Sequence, residues 1–162
     1  MYIKNTKIIF GISLVLVIAG FVVAIILGKQ QDQQFKDEQA LYDEVVALHE
    51  AGQSEDALKT LLPLQKKYID NEKITRLASR ITYETGHYDE AARYTQQVID
   101  INPYAVEDAT IMLRLGVSYF YNQQADRAKV VFERILADNL SLESMPDYQD
   151  QVQNYLAQIP NE

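Results

Sequence analysis

Residues 86–103 read Gly86-His-Tyr-Asp-Glu-Ala-Ala-Arg-Tyr-Thr-Gln-Gln-Val-Ile-Asp-Ile-Asn-Pro103. Glycine tolerates the left-handed backbone that a tight turn demands. Asp89 and Glu90 then fall in a first helical turn, where acidic side chains meet the positive end of the helix dipole. Pro103 disfavours helical geometry in Asn102, the residue before it. The segment therefore predicts a turn at Gly86, a helix opening near Tyr88 and a stop at Asn102. Ala91 is small where a preceding helix has to cross closely. Ala92 is expected to point away from that crossing and to tolerate a larger side chain.

The frame recurs. Ala57 lies 34 residues before Ala91, in Gly52-Gln-Ser-Glu-Asp-Ala57-Leu, with Ser54 where Tyr88 stands. Ala128 lies 37 residues after it, followed by Phe132, with Gln123 in place of the turn glycine and Ala125 in place of the tyrosine. The three extra residues fall in the loop after Pro103. Self-similarity at a near-fixed period is the mark of stacked supersecondary units, each too small to bury its apolar face alone.

This pattern resembles the tetratricopeptide repeat (TPR). The Gly-x-Tyr-x-x-Ala run and closing proline of that family match Gly86, Tyr88, Ala91 and Pro103, and its first-helix signature matches Leu115-Gly116-x-Ser118-Tyr119. The resemblance covers residues 37–140, about two-thirds of the chain. It implies an all-α fold in which three TPR-like helix pairs form a right-handed superhelix. First helices are expected near 37–51, 72–85 and 106–122, and second helices near 54–68, 88–101 and 125–138. Pro63 falls inside a second helix and should kink it unless that helix starts late. The core is expected to hold Leu41, Val45, Leu48, Ala57, Leu58 and Leu61 in the first pair, and Ile74, Leu77, Ala78, Ile81, Ala91 and Val98 in the second. The third contributes Leu115, Tyr119, Ala128, Phe132 and Leu136.

Outside the repeats, residues 8–28 stand apart. Ile8 to Leu27 are twenty residues without a charge, with Ser13 alone polar outside glycine. At 1.5 Å per residue they span roughly 30 Å, the thickness of a bilayer core. Leu27-Gly28-Lys29 lacks the small residues of a signal-peptide cleavage site, so the segment reads as an uncleaved transmembrane anchor. The short flank 1–7 carries Lys4 and Lys7, which points to an N-in, C-out orientation. The chain is then a single-pass protein of a bacterial inner or plasma membrane, with the repeats extracytoplasmic. Residues 29–36 are polar, rich in glutamine and free of glycine after Gly28, and read as a helical connection. Residues 141–162 form a cap and tail: Met145, Tyr148, Val152, Tyr155, Leu156 and Ile159 share one helical face, with Ser144 as the expected N-cap and Pro146 in the first turn.

The whole chain carries a net charge of -8. Beyond residue 35 there are 12 basic against 22 acidic side chains, a net of -10. So acidic a surface argues against nucleic-acid binding. The chain has no cysteine, and its two histidines, His49 and His87, lack a ligand-spaced acidic set. No phosphate loop or nucleophile motif is present. Neither an enzyme nor a cofactor or metal site is expected. Asn139-Leu-Ser141 fits a glycosylation sequon.

The informative surface is the inner groove, which in the TPR family is lined by first helices. Lys73, Arg76 and Arg80 recur at i, i+3 and i+7, and Tyr83 continues their face. Tyr42, Val46 and His49 are expected on one side, and Leu113, Val117, Phe120 and Tyr121 on the other. The partner-binding set is therefore Lys73, Arg76, Arg80, Tyr83, Tyr42, Phe120 and Tyr121, facing a protein or peptide with an acidic or carboxylate-bearing segment. The alternative is that the cations pair with nearby acids such as Glu72 and Glu84. TPR adaptors that grip a C-terminal carboxylate use Lys and Asn in the first repeat and Lys and Arg in the third. Here Tyr42, Val46 and Thr110 replace three of these and Arg114 alone is kept. The resemblance implies a non-enzymatic interaction platform or assembly factor for membrane complexes. A second reading is a structural subunit of a permanent complex or homo-oligomer, joined through the apolar residues Leu113, Val117 and Phe120.

Overall fold

A computed structural model gives the backbone of residues 2–160 and the side chains of residues 20, 21 and 23–160. The chain divides into two compact units, Met1–Ala40 and Leu41–Glu162. The first unit is helical, part of α1 (Tyr2–Glu50), which includes the connection 29–36. Within that connection Gln33 and Gln34 donate to Asp37 and Glu38 one turn on, at 2.8 and 3.0 Å. Among the described residues no helix is long and apolar enough to cross a membrane. The expected anchor at 8–28 falls mostly on side chains outside them.

The second unit contains the end of α1 and six further helices: α2 (Ser54–Lys67), α3 (Glu72–Glu84), α4 (Tyr88–Ile101), α5 (Ala109–Tyr121), α6 (Ala125–Ala137) and α7 (Tyr148–Gln158). Among the described residues there is no strand, only an isolated bridge between Leu142 and Met145. The three helix pairs match the expected alternation, and each pair closes through one kind of turn. Gly52 and Gly86 have φ of 77° and 78°, and Gln123 takes the same left-handed conformation at 57°. In each turn the next residue's N–H returns to a carbonyl five residues back: Gln53 to Leu48, His87 to Thr82 and Gln124 to Tyr119. These bonds satisfy carbonyls that a helix end leaves open. Gln123 holds the geometry without glycine, at a conformational cost of about 1–2 kcal/mol.

Two details depart from the sequence reading. The first helix of the third pair begins at Ala109, not near 106, because Pro103–Glu107 forms a 3₁₀ turn and Asp108 caps α5 through its side chain. Ser144 is not an N-cap. It lies in the turn where Met145 N–H bonds Leu142 and Tyr148 N–H bonds Met145, so α7 opens only after Asp147. Pro63 sits inside α2, which runs through it to Lys67.

The core is built around α4. Its Tyr94 packs with Val45, Ala57, Leu61, Leu77 and Ile81, whereas its Ala92 belongs to a second cluster with Met112, Leu115, Ala128 and Phe132. Val98 joins Ala105 and Ile111 in a third. Ala92 is thus 4% exposed and as confined as Ala91 at 0%, contrary to the tolerance expected of it. A middle helix in a stack is covered on both sides, so two adjacent residues are both buried. Leu41 is 40% exposed. In the last pair Ile135 is fully buried and Leu136 only partly. The expected capping face of α7 docks as read: Tyr148 and Val152 are buried, and Tyr148 Oη donates to Ala109 O at 2.8 Å.

Candidate functional site

A cavity of about 400 Å³ opens between α1, α3 and α5. Its wall carries four cations, Lys73, Arg76, Arg80 and Arg114, with Tyr42 and Asp108 beside them. Leu77, Thr110 and Ile111 complete the lining. The i, i+3, i+7 spacing of Lys73, Arg76 and Arg80 does place them on one face of α3, and Asp108 and Arg114 are supplied by the head and first turns of α5.

The cations are not equivalent. Arg76 is held by two carboxylates: Nε donates to Glu72 at 2.7 Å and Nη1 to Asp108 at 2.9 Å. Desolvation opposes the charge on Arg76, but the bonds to Glu72 and Asp108 outweigh it and raise its pKa. Glu72 is in turn held below the usual carboxylate range, first by Arg76 and then by Asn102, whose Nδ2 donates to it at 3.1 Å. Arg80 Nε donates to Glu84 at 2.9 Å, and Glu84 also meets His49 Nε2 at 3.0 Å. His49 is buried in this tie between α1 and α3 and is not a groove residue. Lys73 has no carboxylate; its Nζ stands 4.0 Å from the centroid of the Tyr42 ring, a cation–π contact.

Arg114 differs from all three. Among the described residues it makes no ion pair, and its one side-chain hydrogen bond runs from Nη1 to Ser79 Oγ at 3.2 Å. Thr95 Oγ1 donates to Ala91 O at 2.6 Å, so the 2.6 Å contact between Thr95 and Ser79 uses the serine proton. The lone pairs of Ser79 remain for Arg114. The Arg114 Nε is shielded from solvent and has no hydrogen-bond partner. Burial pushes its pKa down, opposed by Glu84 and reinforced by Arg80. The guanidinium is thus a partly desolvated cation on the cavity lining, and an anion beside it would replace solvation that burial has removed.

The aromatic members of the expected set divide. Tyr42 lines the cavity. Tyr83 lies behind Arg114, its ring centroid 6.0 Å from the guanidinium carbon, and meets Tyr88 edge-on. Phe120 and Tyr121 are not among the residues lining the cavity; they continue the aromatic ladder from Tyr83 through Tyr88, where Tyr121 stacks on Tyr88 at 4.7 Å and Phe120 meets Tyr155 of α7 at 5.2 Å. The apolar third-repeat groove is taken up by the domain's own packing: Val117 is buried, and Leu113 and Phe120 lean on the same core. Val46 likewise packs against the core. Asp108 and Ser79 are site residues that the sequence reading did not single out. An aspartate before a helix does signal a cap, but that the same side chain also reaches Arg76 depends on how the second and third pairs stack. Among the described residues no cluster of His, Cys, Asp or Glu has metal-binding geometry.

Comparison with known proteins agrees with the fold. Residues 111–139 match a family model described as a tetratricopeptide repeat. No curated protein matches the chain in sequence. Among solved structures, the first TPR of Spaghetti (RPAP3) bound to the HSP90 peptide SRMEEVD is similar at a TM-score of 0.58 and 14% identity, over 74% of this chain and 93% of that one. The Sgt2 TPR domain from Aspergillus fumigatus gives the same score at 15% identity, over 78% of this chain and 87% of that one. The chain therefore has the TPR fold, and its segment 111–139 carries a TPR sequence.

Proposed function

We propose that this chain is a membrane-anchored, non-enzymatic TPR platform whose cavity grips an acidic or carboxylate-bearing segment of a partner protein. The observation that carries the reading is Arg114, a partly desolvated guanidinium on the wall of an open cavity with no carboxylate of its own. Arginine grips a carboxylate through two parallel hydrogen bonds, and an anion arriving there replaces solvation that burial has removed. Lys73 over Tyr42 adds a second cation free of carboxylates on the same wall. The peptide bound by the first TPR of Spaghetti ends in Glu-Glu-Val-Asp, so a similar fold does hold a carboxylate-rich segment.

In this reading residues 8–28 anchor the chain in a bacterial inner or plasma membrane, Lys4 and Lys7 stay inside, and the repeats face the extracytoplasmic side. Tethering raises the local concentration of the platform around other membrane components, which suits an assembly factor. The test is a photo-crosslinking residue placed at Thr110, which lines the cavity, in the full chain in intact membranes. Cross-linked partners are identified by mass spectrometry in the wild type and in Arg114→Gln. Capture that is lost in Arg114→Gln, with the helical circular dichroism unchanged, supports the reading. Equal capture by the two folded proteins overturns it.

A further inference from the structure

The cavity contains a carboxylate of its own. Asp108 lines it beside the cations and is fixed at both oxygens: Oδ1 accepts from Thr110 N at 3.0 Å and Ile111 N at 3.2 Å, and Oδ2 accepts from Arg76 Nη1 at 2.9 Å. Moving Asp108 aside would uncap α5, so its charge is a permanent part of the wall. Arg76 is doubly occupied, by Asp108 and by Glu72, and Arg80 is engaged by Glu84. Among the described residues, Arg114 and Lys73 are the two of these four cations without a carboxylate partner.

We propose that Asp108 is a built-in occupant of the Arg76 subsite, which makes the cavity select a single isolated carboxylate and reject a segment with two adjacent ones. This rests on the carboxylate-gripping reading of the same cavity and narrows its ligand. The first ligand carboxylate pairs with Arg114, while Lys73 is held over the Tyr42 ring. A second one, one residue away, finds Arg76 already filled and meets the fixed charge of Asp108. Like charges brought together in a partly desolvated site disfavour the wrong ligand more than they help the right one. The ligand class is therefore a protein segment or chain end with one carboxylate flanked by neutral residues.

The full chain in detergent micelles, with its arginine Nε–Hε signals followed by NMR, is titrated with three peptides. These are N-acetyl-Ala-Ala-Ala with a free carboxylate, N-acetyl-Ala-Ala-Asp with two carboxylates, and N-acetyl-Ala-Ala-Ala amide with none. The wild type should bind the monoacid at least as well as the diacid and should ignore the amide. Asp108→Asn keeps an N-cap of equal quality but removes the charge and releases Arg76. It should raise the ratio of diacid to monoacid affinity about five- to tenfold, the gain expected of one added charge-assisted contact in a half-exposed site. Adding Arg76→Gln to Asp108→Asn should return the ratio to its wild-type value. A ratio that Asp108→Asn leaves unchanged, while Arg114→Gln still abolishes monoacid binding, sinks the Asp108 inference alone. If neither carboxylate peptide binds the wild type or Asp108→Asn, the gripping reading falls and takes the inference with it.

Discussion

Arg76 of α3 reaches Asp108 at the head of α5, Nη1 to Oδ2 at 2.9 Å, across 32 residues of sequence. The contact joins the first helices of the second and third pairs on the side where the cavity opens. It belongs to a chain of bonds that runs from Asn102 through Glu72 and Arg76 to Asp108 and ends in the backbone N–H groups of α5. Arg76 is therefore a structural cation at the edge of the cavity.

Arg76→Glu should destabilise the repeats, because it sets a third carboxylate beside Glu72 and Asp108 and breaks both bonds. Arg80→Glu, at a side chain 55% exposed with one carboxylate partner, should be milder. Thermal melts of the two full-length variants should differ by several degrees, with Arg76→Glu the lower. Equal melting temperatures would show that the Arg76 network contributes nothing to stability.

Packing around α4 and α5 leaves little slack. Ala91→Leu and Ala92→Leu should each cost roughly 1–3 kcal/mol, because both sites are closed by neighbouring helices. Gly116→Ala should cost a similar amount, about 1–3 kcal/mol, since a Cβ there would meet the Phe132 ring at 2.5 Å. Denaturant unfolding with Phe132→Leu added to Gly116→Ala should recover part of that loss. Wild-type stability in Ala92→Leu would contradict the placement of α4 between two cores.

The tyrosines of α7 make the fold sensitive to alkali. Burial, helped by Tyr121, pushes Tyr155 up to about 12, and burial followed by Asp108 raises Tyr148 further. In the unfolded chain both titrate near 10. Between about pH 10 and 12 the folded state keeps protons that the unfolded state has lost, so stability is fully present below pH ~10 and falls as pH rises above it. Tyr155→Phe should flatten that fall between pH 9 and pH ~11.5, as measured by denaturant unfolding. The same slope in wild type and variant would mean that Tyr155 is not the group responsible.

The proposed topology rests on the lysines before the apolar run. In intact spheroplasts, added protease should digest the repeats while an epitope fused before Met1 survives. Repeats that are cut only after lysis would reverse the orientation.

Much of the repeat architecture is local information, and local information is legible in sequence. Gly86, Asn102-Pro103 and the alanines at the helix crossings act through backbone conformation and side-chain size, which depend on residue type and spacing alone. The helix pairs could therefore be bounded to within a few residues. Even the glycine-free turn at Gln123 was marked by the repeat on either side of it. The apolar run 8–28 is read in the same way, from length and charge. The fate of each cation was not legible. Lys73, Arg76 and Arg80 look alike as a spacing on one helix. Stacking then brings Asp108 onto Arg76 and Ser79 under Arg114, leaves Lys73 over Tyr42, and ties Phe120 and Tyr121 into an aromatic ladder with Tyr88 and Tyr155. Ala92 and Ser144 were misjudged for the same reason, because whether a residue is covered depends on what packs against it. The helices and their turns follow from residue type and spacing through short-range sterics. Which charges stay unpaired follows from how the helices stack, since ion pairing and desolvation depend on distances between residues far apart in the chain.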